Sequence, residues 1–274
     1  YNTNWISPYS IYEYDVAKKT IVKSKWFDMS GSFPDFAKDF AIKEVDVKSH
    51  DGVLVPLSIL YQKNIILDGN APCYLTGYGA YSMSQQPGFI DVMAILLEQG
   101  CSIAFAHVRG GGEKGEEWHK AGMKTTKPNT WKDFIACAEY LIKEKYTSSQ
   151  KLIGEGMSAG RILIVRVITE RPDLFAVAIN EVGMTNAVRS ETTPNGDNQI
   201  PEIGSIKVEE ECKALIEMDA QSKVVKRTKY PAVFVRSGMN DARVVPWMPA
   251  KFAAVLQNSS SSNKPVLLYV NYGN

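Results

Sequence analysis

From residue 73 onward this 274-residue chain alternates short apolar runs with longer segments whose apolar residues recur at helical spacing. The runs fall at 73–76, 102–108, 152–153, 176–179, 232–235 and 266–270, and the helical stretches at 89–99, 130–145, 158–169, 208–219 and 248–257. A strand with one face in water alternates polar and apolar residues, so continuous apolar runs point to strands covered on both faces. Regular strand–helix succession predicts the α/β class, with a mostly parallel, twisted sheet and helices on both faces. Two connections, 109–129 and 182–207, exceed the usual ~4–6 residues, and 259–263 reads as a short solvated linker. No internal repeat is visible.

The first 43 residues follow a different rule. Residues 11–15 and 20–25 alternate as a short hairpin around Ala17-Lys18-Lys19, and a polar stretch, 28–40, reads as a linker. Residues 44–48 and 53–61 predict a second hairpin turned at Asp51-Gly52, a dipeptide suited to tight turns. The change of pattern divides the chain into a β hairpin with linker over 1–43 and an α/β unit over 44–274.

Charge removes several function classes. With 31 Lys+Arg against 30 Asp+Glu, the net charge is +1, which gives no general pull toward nucleic acid or anionic membranes. No apolar stretch approaches the ~18 residues of a membrane span. No signal peptide precedes Tyr1, and the chain is expected to be a processed or excised piece of a longer, soluble protein, cytoplasmic or periplasmic. Cys73, Cys101, Cys137 and Cys212 form no CxxC pair, so no metal site is expected. They read as small buried hydrophobes, and their spacing alone leaves a disulfide open.

Gly156-Met157-Ser158-Ala159-Gly160 is a G-x-S-x-G between an apolar run and a helical stretch. A strained strand-to-helix turn there pushes the serine hydroxyl out at the carboxyl edge of the sheet, and the glycines permit the turn. The Ala159 amide would then face an oxyanion. The competing reading is a helix start built from small residues. Gly110–Gly115 satisfies G-x-G-x-x-G, but the next strand comes too late for a dinucleotide site, and a flexible loop at the sheet edge is expected instead. Asp241, just past the run 232–235, suits the Ser…Asp…His chain order of α/β-hydrolases, although an Asx turn or a helix cap would use the same residue. Serine needs a base to take its proton, and none of the three histidines follows Asp241. His50 lies in a hairpin turn, His107 ends an apolar run as a satisfied core or edge residue, and His119 reads as solvated.

These residues resemble the catalytic α/β-hydrolase domain of the prolyl oligopeptidase family of serine peptidases. The family pattern D-x3-A-x3-[aliphatic/aromatic]-x14-G-x-S-x-G-G-[apolar]2 falls on Asp133, Cys137, Leu141, Gly156, Ser158, Gly160, Arg161, Ile162 and Leu163. Cys137 stands where Ala is usual and Arg161 where Gly is usual. Further matches are Gly77-Tyr78-Gly79-Ala80-Tyr81, the stretches 108–113 and 171–175, and Asn240-Asp241-Ala242-Arg243 leading into Val244-Val245-Pro246. The resemblance covers about 44–274, and residues 1–27 resemble the end of the family's β-propeller, most of which is absent.

The resemblance implies Ser158 as nucleophile, Asp241 as orienter of the base, the Tyr78 hydroxyl beside the Ala159 amide as oxyanion donors, and Arg243 as the holder of a substrate carbonyl. It implies short peptides cut after Pro or a basic residue, or esters, as substrates, with no cofactor. The family's histidine would follow the last strand, beyond Asn274, so the chain as given is expected to be a poor catalyst. The alternative is a non-catalytic α/β-hydrolase scaffold. Arg161 is expected either to point to solvent or to reach into the cleft, and bulky Val165 follows one turn later.

Overall fold

The structure, a computed structural model, describes residues 4–7, 10–28, 36–88 and 91–273. Strands β1 (Ser10–Asp15) and β2 (Thr20–Asp28) pair as an antiparallel sheet of their own. Of the stretch read as a linker, 29–35 lies outside the described residues, while its end forms a one-turn helix, α1 (Phe36–Asp39). Then come β3 (Phe40–Lys48) and β4 (Leu54–Gln62), hairpinned through a turn with Gly52 at φ 87°. That left-handed value is what glycine supplies without a Cβ clash. The alternating elements follow: β5 (Cys73–Gly77), α2 (Asp91–Glu98), β6 (Ser102–Ala106), α3 (Glu116–Lys120), α4 (Pro128–Lys143), β7 (Leu152–Met157), α5 (Arg161–Glu170), β8 (Val177–Glu181), α6 (Gly196–Ile203), α7 (Glu209–Met218), β9 (Ala232–Gly238), α8 (Trp247–Ser259) and β10 (Val266–Asn271). Residues 89–90 of the first expected helix lie outside the described residues.

The eight strands from β3 onward form one sheet in the order β10-β9-β8-β7-β5-β6-β4-β3. β4 runs antiparallel to both its neighbours, and the others are parallel. Both faces are covered, which is why the central runs are apolar throughout. In β6, Ala104 and Ala106 join a core with α4, α5 and α8, while Ile103 and Phe105 join a second with α2, Trp5 and Phe36. Trp5 stacks on Phe105 with ring centroids 4.0 Å apart.

Helix α4 opens on Pro128, whose missing N–H costs nothing in a first turn. It buries Trp131, Phe134, Ile135, Ala138 and Leu141 along one stripe. Helix α5 lies beneath it and is buried from Arg161 to Ile168, Val165 included. Cys73, Cys101 and Cys137 are buried free thiols, and Cys212 is partly exposed.

Two connections are more ordered than their composition suggests. The stretch 182–207 holds a 3-10 turn, Ala187–Thr192, and helix α6, which is short, largely polar and carries Pro201. Its order comes from tertiary burial of Gln199, Glu202 and Ile203. The stretch 109–129, expected to be flexible, holds α3 and is tied down by buried Arg109 and Lys127.

Candidate active site

β7 carries the G-x-S-x-G to the carboxyl edge of the sheet. Ser158 is exposed, has φ 52°, and opens the 3-10 turn Ser158–Gly160 that runs into α5. A left-handed conformation costs a residue with a Cβ about 1–2 kcal/mol, and such strain gathers where chemistry needs a particular presentation. The flanking glycines are needed for space. A Cβ on Gly156 would lie 2.4 Å from the Gly160 carbonyl oxygen, and one on Gly160 would lie 2.7 Å from Tyr78 Cα. Ser158 therefore stands on a turn pressed against the loop after β5, with Ala159 next in the turn.

That loop carries Tyr78, half-buried, one residue past the Gly77–Gly156 register pair. The Gly79 carbonyl accepts a hydrogen bond from Lys127 Nζ at 2.7 Å, and Lys127 is 1% exposed. Lys127 also faces Glu202 at 3.4 Å, and His119 Nε2 meets the other oxygen of Glu202 at 2.8 Å. Burial, the larger cause, holds the Lys127 ammonium below its ordinary value, while Glu202 pushes it back up. His119, expected in solvent, is instead part of this support. The sequence gives no local signal for it, because its members are 48, 75 and 83 residues apart.

The Gly-rich loop after β6 packs on the other side of the Tyr78 loop. A Cβ on Gly110 would lie 2.1 Å from the Gly79 carbonyl oxygen. Arg109 anchors it. Its backbone N–H and Nε donate to Asp133 Oδ2 at 3.0 and 2.9 Å, and its Nη2 donates to Asp133 Oδ1 at 2.6 Å. The same guanidinium reaches Asp51 in the β3–β4 turn, and Ser49 Oγ donates to Asp133 at 2.6 Å. The Gly-rich motif thus closes on the protein's own backbone.

Asp241 follows β9, two strands from β7, and two strand spacings are about 10 Å. Its Oδ1 accepts from the backbone N–H groups of Arg243 at 2.7 Å and Val244 at 2.9 Å. The Asx turn is therefore present, and it holds the carboxyl with Oδ2 unbonded among the described residues. A cavity of about 470 Å³ opens beside it, lined by Glu181, Val182, Ser237, Gly238, Asp241 and Asn271 among others. Arg243 is exposed, and its carbonyl accepts from Gln199 Nε2 at 3.2 Å.

The histidines are engaged elsewhere. His107 bonds Ser58 Oγ at 2.7 Å and faces Glu113 at 3.5 Å, His119 bonds Glu202, and His50 bonds Ser49. Of the two courses expected for Arg161, the structure excludes solvent and turns the side chain inward, toward a residue that lines the cavity beside Asp241. It is 8% exposed, and its Nη1 donates to the Val182 carbonyl. Among the described residues no group of three or more His, Cys, Asp or Glu is arranged to hold a metal, and no helix is long and apolar enough to cross a membrane.

Residues 87–274 match the model of the prolyl oligopeptidase family. The chain belongs to that family. A prolyl endopeptidase of Elizabethkingia meningoseptica is 34% identical over 269 residues, which is 98% of this chain and 38% of that protein. The dual function macrocyclase-peptidase POPB of Amanita bisporigera is 34% identical over 234 residues, covering 85% of this chain and 32% of that one. The structure of oligopeptidase B from Leishmania major superposes with a TM-score of 0.90 at 30% identity, over 98% of this chain and 37% of that one. The chain thus spans well under half the length of these relatives.

Proposed function

We propose that this chain is the catalytic portion of a serine peptidase that cleaves short peptides after Pro or a basic residue, or esters, through an acyl-enzyme on Ser158. In this reading Ser158 Oγ attacks the substrate carbonyl and its proton passes to an imidazole base oriented by Asp241. The Tyr78 hydroxyl and the Ala159 N–H stabilise the resulting oxyanion, and Arg243 holds a neighbouring substrate carbonyl. The tetrahedral adduct then collapses, the base returns the proton to the leaving amine or alcohol, and water repeats the sequence to free the acyl group. No metal or cofactor takes part in these steps.

The observation that carries the proposal is the exposed Ser158 at φ 52° on a strand-turn-helix whose glycines admit no Cβ. The cavity beside Asp241 supports it by leaving space where an imidazole belongs. Since His50, His107 and His119 are bonded elsewhere, the base in this reading comes from outside the described residues. The division into a hairpin segment over 1–43 and a hydrolase unit over 44–274 belongs to the same proposal, with β3 reaching into the first segment by starting at Phe40.

Labelling with a fluorophosphonate probe tests the nucleophile. Ser158 should carry the label and Ser158→Ala should abolish it. Equal labelling of the Ser158→Ala protein would remove Ser158 from the mechanism. The ratio of turnover on proline and arginine anilides then assigns the P1 preference.

A further inference from the structure

Arg161 is the residue of the serine motif that the proposed chemistry does not use. It opens α5, three residues after Ser158, where the family pattern carries Gly. Its side chain is buried beneath the carboxyl edge of the sheet, where Nη1 donates to the Val182 carbonyl and Nε is buried without an acceptor. Around it stand Glu155 on β7, Glu181 on β8, Asp241 after β9 and Tyr78 after β5. None of the carboxylates pairs with it within 4.0 Å among the described residues, and Glu181 is paired with Arg236 at 3.4 Å. Burial, the largest cause, pulls the guanidinium down to about 10, and the surrounding acidic groups act against it. At neutral pH Arg161 is a buried cation without an ion pair, which costs free energy and persists only if the surroundings fix it.

The recipient of its hydrogen bond is also strained. Val182 has φ 54°, an outlier for a β-branched residue. Its N–H donates to the Arg236 carbonyl at 2.6 Å, so both backbone polar groups of Val182 are held, one by β9 and one by α5. Next to it, a Cβ on Gly183 would lie 2.0 Å from Asn180 Oδ1. The Asn180 amide, 1% exposed, has neither its oxygen nor its nitrogen bonded. Val182 and Glu181 line the cavity beside Asp241.

We propose that Arg161 is a positioning residue that latches the loop leaving β8 to the Ser158 turn, and that it thereby sets the wall of the cavity in front of Asp241. Without the guanidinium, Val182 can relax to a negative φ, which rotates its carbonyl and moves its side chain relative to the cavity. Arginine at this position replaces the close helix-to-sheet approach that glycine gives with a buried cationic tie. The inference rests on the Ser158 reading only for its activity arm.

The test compares Arg161→Met and Arg161→Lys with the parent by amide hydrogen exchange and by steady-state kinetics on a peptide anilide. In Arg161→Met the amides of 182–186 should exchange about tenfold faster, with β5 and β7 amides changed less than about twofold. Arg161→Lys, which keeps a cationic donor, should stay within about threefold of the parent over the same amides. In the kinetic arm, run on protein that includes the base, KM should rise about fivefold in Arg161→Met while kcat falls less than about twofold, because the wall and not the nucleophile is displaced. If Arg161→Met does not fold, Arg161→Gly, the family's own residue, supplies the same comparison. Unchanged exchange over 182–186, or a rise shared equally by the whole sheet, would overturn the latch. Failure of the parent to label at Ser158 would overturn the peptidase reading alone and leave the exchange result to decide the latch.

Discussion

Replacing Arg109 by Met should cost more stability than any single surface change in the molecule, and its size can be worked from the bonds it removes. Asp133 is fully buried and accepts from the Arg109 N–H, Nε and Nη2 and from Ser49 Oγ. Methionine fills similar space and keeps the backbone bond, but it removes Nε and Nη2 and leaves the carboxylate without its cation. Taking one partner from a buried ion pair costs about 3–5 kcal/mol. The Asp51 arm adds little, because its side chain is 35% exposed and an exposed pair contributes about 1 kcal/mol or less. The expected loss is therefore about 3–5 kcal/mol, or roughly 6–20 °C in the thermal midpoint at about 2–4 °C per kcal/mol. Urea unfolding monitored by tryptophan fluorescence measures it, with Asp51→Asn as the control that should lose no more than about 1 kcal/mol.

The same cluster predicts a pH dependence. The Arg109 hydrogen bond, as the first cause, lowers the Asp51 carboxyl from 3.8 to about 2. A depressed folded-state value means that this stabilisation is complete above about pH 3.8 and is lost as the pH falls toward 2. Arg109→Met and Asp51→Asn should both flatten the stability curve in that window. A cost below about 1 kcal/mol for Arg109→Met, with the acid limb unchanged, would refute the reasoning that Asp133 depends on this guanidinium.

Three further outcomes follow from the site's backbone. Gly160→Ala should destabilise by about 1–3 kcal/mol, since its Cβ meets the Tyr78 backbone at 2.7 Å; an unchanged calorimetric midpoint would mean that the serine turn has slack. Ser158→Gly should be about 1 kcal/mol more stable than Ser158→Ala in urea titrations, because only Ala keeps the strain of φ 52°; equal stabilities would show that the turn carries no strain. Lys127→Met should cost about 2–4 kcal/mol by leaving the Gly79 carbonyl without its donor and buried Glu202 with His119 alone. Because burial lowers the Lys127 ammonium below 10.5, the unfolded chain holds more of that proton just under this pH, so the parent's stability gains there as pH rises. A Lys127→Met protein with the same alkaline slope would show that Lys127 does not cause it.

What the sequence alone determined is what short-range patterns encode. The central strands were legible because parallel strands buried on both faces must be apolar throughout, and α4 because its stripe recurs at helical spacing. The β3–β4 turn was legible from Asp51-Gly52, where the left-handed backbone requires glycine, and the serine turn from two glycines whose missing Cβ atoms make room for Gly160 and Tyr78. Tertiary structure alone decided the contacts between residues far apart in the chain. Helix α6 is short and largely polar and forms because its buried side chains meet the core, while His119 leaves solvent because Glu202, 83 residues away, is its hydrogen-bond partner. Arg109 closes its loop through Asp133 and Asp51, 24 and 58 residues distant. The course of Arg161 also had to wait for the fold, because the acceptor that draws a long cation inward, the Val182 carbonyl, exists only once β8 is paired beside β7 and its last turn is forced into a left-handed conformation.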